Sequence, residues 1–125
     1  VDYKGIRGRQ YPNTNYSEYL SQYRAAIAAT TFFPTQKYWE VPAAGCLTFM
    51  EMTPKNDAYF LGFVDNETAI FINEKNYKKK YEEFVFDPDN PRWEEIANAG
   101  REFVMKHLTN KVAIDNLVQI FHKYI

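Results

Sequence analysis

Apolar residues gather in three short runs along the first part of the chain, at residues 25–30, 46–51 and 68–72. Each run is too short for a helix, and turn-forming residues lie between them, so each reads as a buried strand. The first, Ala-Ala-Ile-Ala-Ala-Thr, carries small side chains and is expected to sit centrally. Between the runs the period changes. Residues 17–24 put Tyr19, Leu20 and Tyr23 on one face of a helix capped by Ser17. Residues 35–44 form a second helix, stopped by Gly45 in a left-handed turn. Pro54 opens a loop, residues 57–61 make a helical turn, and Asp65-Asn66 turns the chain into the third strand. From residue 76 the pattern is helical: residues 76–84, then a break at Asp87-Pro88-Asp89-Asn90-Pro91, then residues 91–108. Asn90 as cap with Pro91 in the first turn fits the preference of proline for that position. Thr109 or Asn110 caps the last helix, residues 111–124.

Strands alternating with helices predict an α/β fold. The expected architecture is a three-layer, Rossmann-like parallel sheet of three to four strands. Helices cover both faces, the C-terminal third is helical, and helix 91–108 packs across the sheet. At 125 residues the chain reads as one domain. It divides into an irregular lead-in at 1–16, with a short strand at 1–4, strand–helix alternation at 17–75, and helices at 76–125.

Composition narrows the function classes. Aromatic residues make up 18%, too many for exposed stacking platforms, so most belong to the core and the half-buried surface. A formal net charge of −1 gives no electrostatic reason for a nucleic-acid partner. Cys46 is the single cysteine and reads as a small hydrophobe within an apolar strand. No apolar run approaches the roughly 18 residues of a membrane span, and no signal-peptide pattern opens the chain. A soluble, cytoplasmic protein is expected. The chain begins at Val1 rather than Met, which suggests a piece of something longer.

Two clusters that suggest chemistry have plainer readings. Lys78-Lys79-Lys80 shares its helix with Glu82 and Glu83 opposite Tyr77, Tyr81 and Phe84, and reads as a solvated face. His107 and His122 have no cysteine or paired carboxylate at ligand spacing, so no metal site is expected; His107 suits a helix C-terminus. Nucleophile-elbow, P-loop and dinucleotide-binding glycine fingerprints are missing. A phospho-acceptor receiver would need acidic residues where the first strand ends, and Thr30-Thr31-Phe32-Phe33 stands there instead.

What remains is the segment from Thr30 to Gly45. In open α/β sheets ligands bind at the carboxyl ends of strands, where this loop lies. The first-turn N–H groups of Thr35, Gln36 and Lys37 lack intrahelical partners and can bind a diphosphate, with the Lys37 charge nearby. Glu40 can accept from both hydroxyls of a ribose, and Pro42 loosens the helix near Tyr38. From spacing alone a second reading stands equally: Glu40 faces solvent and pairs with Lys37 one turn away.

The order of segments also carries a resemblance. A Tyr-rich helix (Tyr16-Ser17-Glu18-Tyr19-Leu20-Ser21-Gln22-Tyr23) precedes the first strand, and Lys37 to Gly45 forms a basic-x-aromatic-Glu-x-Pro-Ala-x-Gly element. Phe63-Val64-Asp65-Asn66-Glu67 precedes the last strand, and Ile96-Ala97-Asn98-Ala99-Gly100-Arg101-Glu102-Phe103-Val104 is followed by Thr109. Residues 16–125 thus resemble the C-terminal half of a group 1 glycosyltransferase of the GT-B fold, in the subgroup related to spore-maturation proteins. The resemblance implies that this half binds a nucleotide diphosphate sugar as donor, with no cofactor and no metal. It implies that the acceptor and the catalytic groups belong to an N-terminal partner domain. The family's Glu-x7-Glu motif places its ribose-binding second Glu at Glu40 and its first at Phe32. Its phosphate-helix glycine falls at Thr35, and the subgroup's Arg falls at Lys37. Phe32 and Phe33 would then neighbour the sugar.

A complete half of this kind has about six strands, so a truncated fragment or a stand-alone relic is expected. Its bare first-strand edge would be covered by residues 1–16 or would pair with a second chain. The alternative function is a non-catalytic α/β interaction module.

Overall fold

The computed structural model describes residues 13–125, with side chains from Tyr16 onward. The predicted strand at 1–4 and most of the lead-in, with whatever they do at the sheet edge, lie outside the described residues. Three strands form the sheet: β1 (Ala25–Ala28), β2 (Leu47–Glu51) and β3 (Ile70–Ile72), in chain order and all parallel. Ala25 pairs with Leu47 and Phe49 with Ile70. β2 is central and buried on both faces from Leu47 to Met50, as its mostly apolar run predicts, with Thr48 buried among the apolar residues. Among the described residues β1 stands at one edge of the sheet, with Ile27 61% exposed.

The helices are α1 (Asn13–Ser21), α2 (Lys37–Ala43), α3 (Tyr77–Phe86), α4 (Pro91–His107) and α5 (Asn110–Tyr124), with a 3-10 turn at Ala58–Leu61. α1 starts four residues before the expected Ser17 cap, directly after Pro12 in the sequence. It also ends sooner, because the chain must turn at Gln22 and Tyr23 to enter β1. The thiol of Cys46 donates to the carbonyls of Leu20 and Tyr23 at that turn (3.1 and 3.3 Å). α2 is shorter than the expected 35–44: Thr35 stays in the loop and Gln36 is the residue before its first turn. At its far end Gly45 takes the left-handed conformation (φ 87°), as predicted. Asn90 caps α4, its side-chain oxygen accepting from the Arg92 N–H at 3.0 Å, with Pro91 behind it. Thr109 caps α5 by accepting from the Val112 N–H.

Two apolar layers enclose the sheet. One gathers Leu47, Phe49, Ile70 and Ile72 under Trp93, Ile96 and Ala97 of α4, with Phe84 of α3. The other gathers Ala28, Met50 and Met52 with Tyr38 of α2, Ala58, Phe63 and Val104 of α4. α4 therefore serves both layers. It passes between them at Gly100, where a Cβ would collide with the Thr68 backbone carbonyl and lie 3.7 Å from Pro42 Cβ. One residue on, Arg101 Nε donates to the Ala43 carbonyl (3.1 Å) and satisfies an acceptor at the end of α2.

Gly100→Ala should lower stability by the upper part of the roughly 1–3 kcal/mol typical of overpacking, because backbone rather than a flexible side chain blocks the new methyl. Gly45→Ala meets open space and should cost only the left-handed strain, about 1–2 kcal/mol. Urea midpoints in that order, Gly100→Ala lowest, test the packing of α4.

Candidate functional site

The carboxyl end of β1 runs into a loop from Thr30 to Gln36 that is tied down from below. Tyr38 projects from the first turn of α2 into the core and is fully buried. Its hydroxyl donates to the Glu51 carbonyl at the end of β2 (2.9 Å). The Thr30 hydroxyl lies 3.4 Å from it and donates to the Phe33 carbonyl within the loop. Asn56, 1% exposed, completes the cluster. Its Nδ2 donates to the Thr30 carbonyl (3.0 Å), the Tyr38 hydroxyl (3.2 Å) and the Glu51 carbonyl (2.9 Å). Its Oδ1 accepts from the N–H groups of Thr53 and Ala58.

Above this cluster stand the residues singled out by sequence. The N–H groups of Thr35, Gln36 and Lys37 donate to nothing among the described residues, because the first bonds of α2 begin at Tyr38 and Trp39. Lys37 does not pair with Glu40. Its ammonium donates to the Ala29 carbonyl (3.0 Å), which places the cation at the carboxyl end of β1. Two of its three N–H donors remain for other partners. The Thr35 hydroxyl is buried without a hydrogen-bond partner. Phe32 and Phe33 are about two-thirds exposed, and the Lys55 ammonium sits 4.8 Å from the Phe32 ring centre.

Glu40 is half-buried in the middle of α2, with no side-chain hydrogen bond or ion pair among the described residues. It stands on the side of α1, near enough to Tyr16 to help raise its phenol pKa, after burial as the larger cause. The structure thus brings Thr35, Gln36 and Lys37 together at one end of the sheet, with Phe32 and Phe33 on the same loop. Glu40 lies one turn deeper along α2. Sequence reasoning missed Tyr38 and Asn56 as anchors of this loop. The available signal was an asparagine following Thr53-Pro54-Lys55, a composition that favours side-chain-to-backbone turns.

A cavity of about 370 Å³ opens at the other end of the sheet, where Arg24 precedes β1 and Leu47 begins β2, and Phe84, Trp93 and Glu94 form the wall. No sequence-predicted site residue lines it. Arg24 is already engaged there, with the Pro88 carbonyl and the Phe84 ring. Among the described residues no group of three or more His, Cys, Asp or Glu side chains could hold a metal ion. No helix there is long and apolar enough to cross a membrane.

A family model described as glycosyl transferase-like matches residues 3–119, which include the whole sheet, the Thr30–Gly45 segment and α4. The chain belongs to the glycosyl transferase-like family. No curated protein and no solved structure matches it. Membership gives this glycosyl transferase-like chain a role in glycosyl transfer, with a sugar donor as substrate.

Burial raises three acidic protons in this glycosyl transferase-like fold: the phenols of Tyr16 and Tyr38 and the thiol of Cys46. The unfolded chain releases these protons first, so folding is weakened wherever they ionise. Stability should hold up to about pH 8.5 and then fall as pH rises through the ordinary thiol and phenol range, roughly 8.5 to 10. Urea midpoints measured from pH 7 to 11 check this, and a flat profile contradicts it.

Proposed function

We infer that this chain is the donor-binding part of a glycosyltransferase that uses a nucleotide diphosphate sugar, on the plan of a group 1, GT-B enzyme of the spore-maturation-like subgroup. The observation that carries the reading is the upper end of β1. There the amides of Thr35, Gln36 and Lys37, unpartnered among the described residues, accompany a Lys37 ammonium held on the Ala29 carbonyl, in a chain of the glycosyl transferase-like family. Amide N–H groups and a held cation are the donors a diphosphate needs. α2 has only seven residues, so the reading rests on these discrete donors rather than on a long helix dipole.

Glu40, half-buried and without a partner among the described residues, would accept from the ribose hydroxyls, and the exposed Phe32-Phe33 loop would border the sugar. Phe32, Phe33 and Gln36 are exposed here, which suits one wall of a cleft whose other wall comes from an acceptor-binding domain. A second reading, a non-catalytic interaction module, draws on α5. That helix has no buried residue and exposes Ile114, Leu117, Phe121 and Tyr124 at helical spacing, a face suited to a partner surface.

Glu40→Ala removes a charged acceptor shared by two hydroxyls, at about 1.5–3 kcal/mol per charge-assisted bond. In a calorimetric titration with UDP-, GDP- and ADP-sugars and a CMP-linked ligand, the best ligand should bind this variant at least about tenfold more weakly than the parent, since 1.4 kcal/mol is a factor of ten. Folding should be preserved, and Lys80→Ala should bind as the parent does. Equal binding by Glu40→Ala, or no binding by the parent protein with its acceptor domain present, leaves the interaction module as the reading that stands.

A further inference from the structure

We propose that Asn56 is a positioning residue for the donor site, its side-chain amide locking the β1–α2 loop to the carboxyl end of β2. The proposal rests on the donor reading above. A side chain amide 1% exposed in a loop is costly unless every polar atom is used, and here every one is. The bonds from Oδ1 to Thr53 and Ala58 close the local turn and would do so in any Asx turn. The bonds from Nδ2 are different in kind. They reach Thr30 after β1, Tyr38 on α2 and Glu51 at the end of β2, and the first two lie 26 and 18 residues away in sequence.

Two N–H protons serve these three acceptors, so Asn56 has nothing left to offer a ligand. It acts through the loop instead. The loop carries two exposed phenylalanines and a run of unpaired amides, features that by themselves favour motion. Its ties to the body are the Nδ2 bond to the Thr30 carbonyl, the neighbouring Tyr38 hydroxyl, and the Lys37 bond to Ala29. Held there, the amides of Thr35, Gln36 and Lys37 converge before a ligand arrives, and the ordering cost of binding is already met.

The test separates holding the loop from holding the fold. Asn56→Asp keeps the shape and the oxygen that closes the local turn, and it removes both N–H donors. Amide ¹⁵N relaxation of the ligand-free parent should report a rigid loop across residues 31–37, with order parameters about 0.85. In Asn56→Asp the same amides should fall below about 0.6 while those of β2 stay rigid. The affinity for the best nucleotide sugar should drop about tenfold. Tyr38→Phe removes one tie but leaves both Nδ2 protons on carbonyls, so it should change both quantities less than Asn56→Asp does.

A flexible loop in the parent overturns the proposal without any mutation, which covers the case of a variant that does not fold. A rigid loop in Asn56→Asp, or a loosened one with unchanged affinity in a parent that binds, overturns the positioning role alone. A parent that binds no nucleotide sugar overturns the donor reading, and the positioning role falls with it.

Discussion

The contact on which the rest of this fold depends is the seat of α4 at Gly100. Here α4 can serve two apolar layers only by passing closely over the turn that leads into β3, and Gly100 permits that approach at the Thr68 carbonyl. On one side of this point α4 places Trp93, Ile96 and Ala97 over β2 and β3. On the other it places Val104 against Met50, Met52 and Tyr38. Arg101 then joins α4 to the last carbonyls of α2. The helix that carries Lys37 and Glu40 is thus braced at its end by the same element that closes the core.

The two ends of α2 differ in how they are held. At the lower end the restraints are packing and a charged hydrogen bond, through Pro42 and Arg101. At the upper end they are polar and internal: a buried phenol and a buried amide meeting strand-end carbonyls. A buried polar cluster of this kind is stable only when complete. It fixes geometry more narrowly than apolar packing does, because each bond has a length and a direction. That is a reasonable division where one end must stay put and the other must present donors at set positions.

Much of the fold could be read from sequence because its signals are local. Buried parallel strands appear as mostly apolar runs, and 46–51 and 68–72 did so. Asn90-Pro91 and Thr109 mark helix starts through atoms within a few residues. The misread features depend on distant partners. Among the described residues β1 stands at one edge although its small side chains suggest a central strand, and the start of α1 failed because Ser17 lies inside a helix rather than capping it. The segment of the candidate site was legible, but its wiring was not. Lys37 and Glu40 have the spacing of an ion pair, yet a carbonyl at the end of β1 takes the ammonium. Asn56 gives no hint in sequence of the three segments its amide joins.

The chain-ordered sheet has a consequence for how the molecule forms. Because β1, β2 and β3 lie side by side in the order in which they occur, each pairing closes only one crossover, through α2 and then through the 3-10 turn. Loop-closure entropy grows slowly with length, and no strand has to wait for a remote one to be placed between its neighbours. The two β-crossover-β units overlap in β2, so whichever forms first offers its central strand as a template to the other. For a parallel sheet, normally a slow topology, this arrangement keeps contact order low. The Thr30 to Gly45 segment is itself the first crossover, so the sequence that presents the candidate site is also one of the two connections that close the sheet.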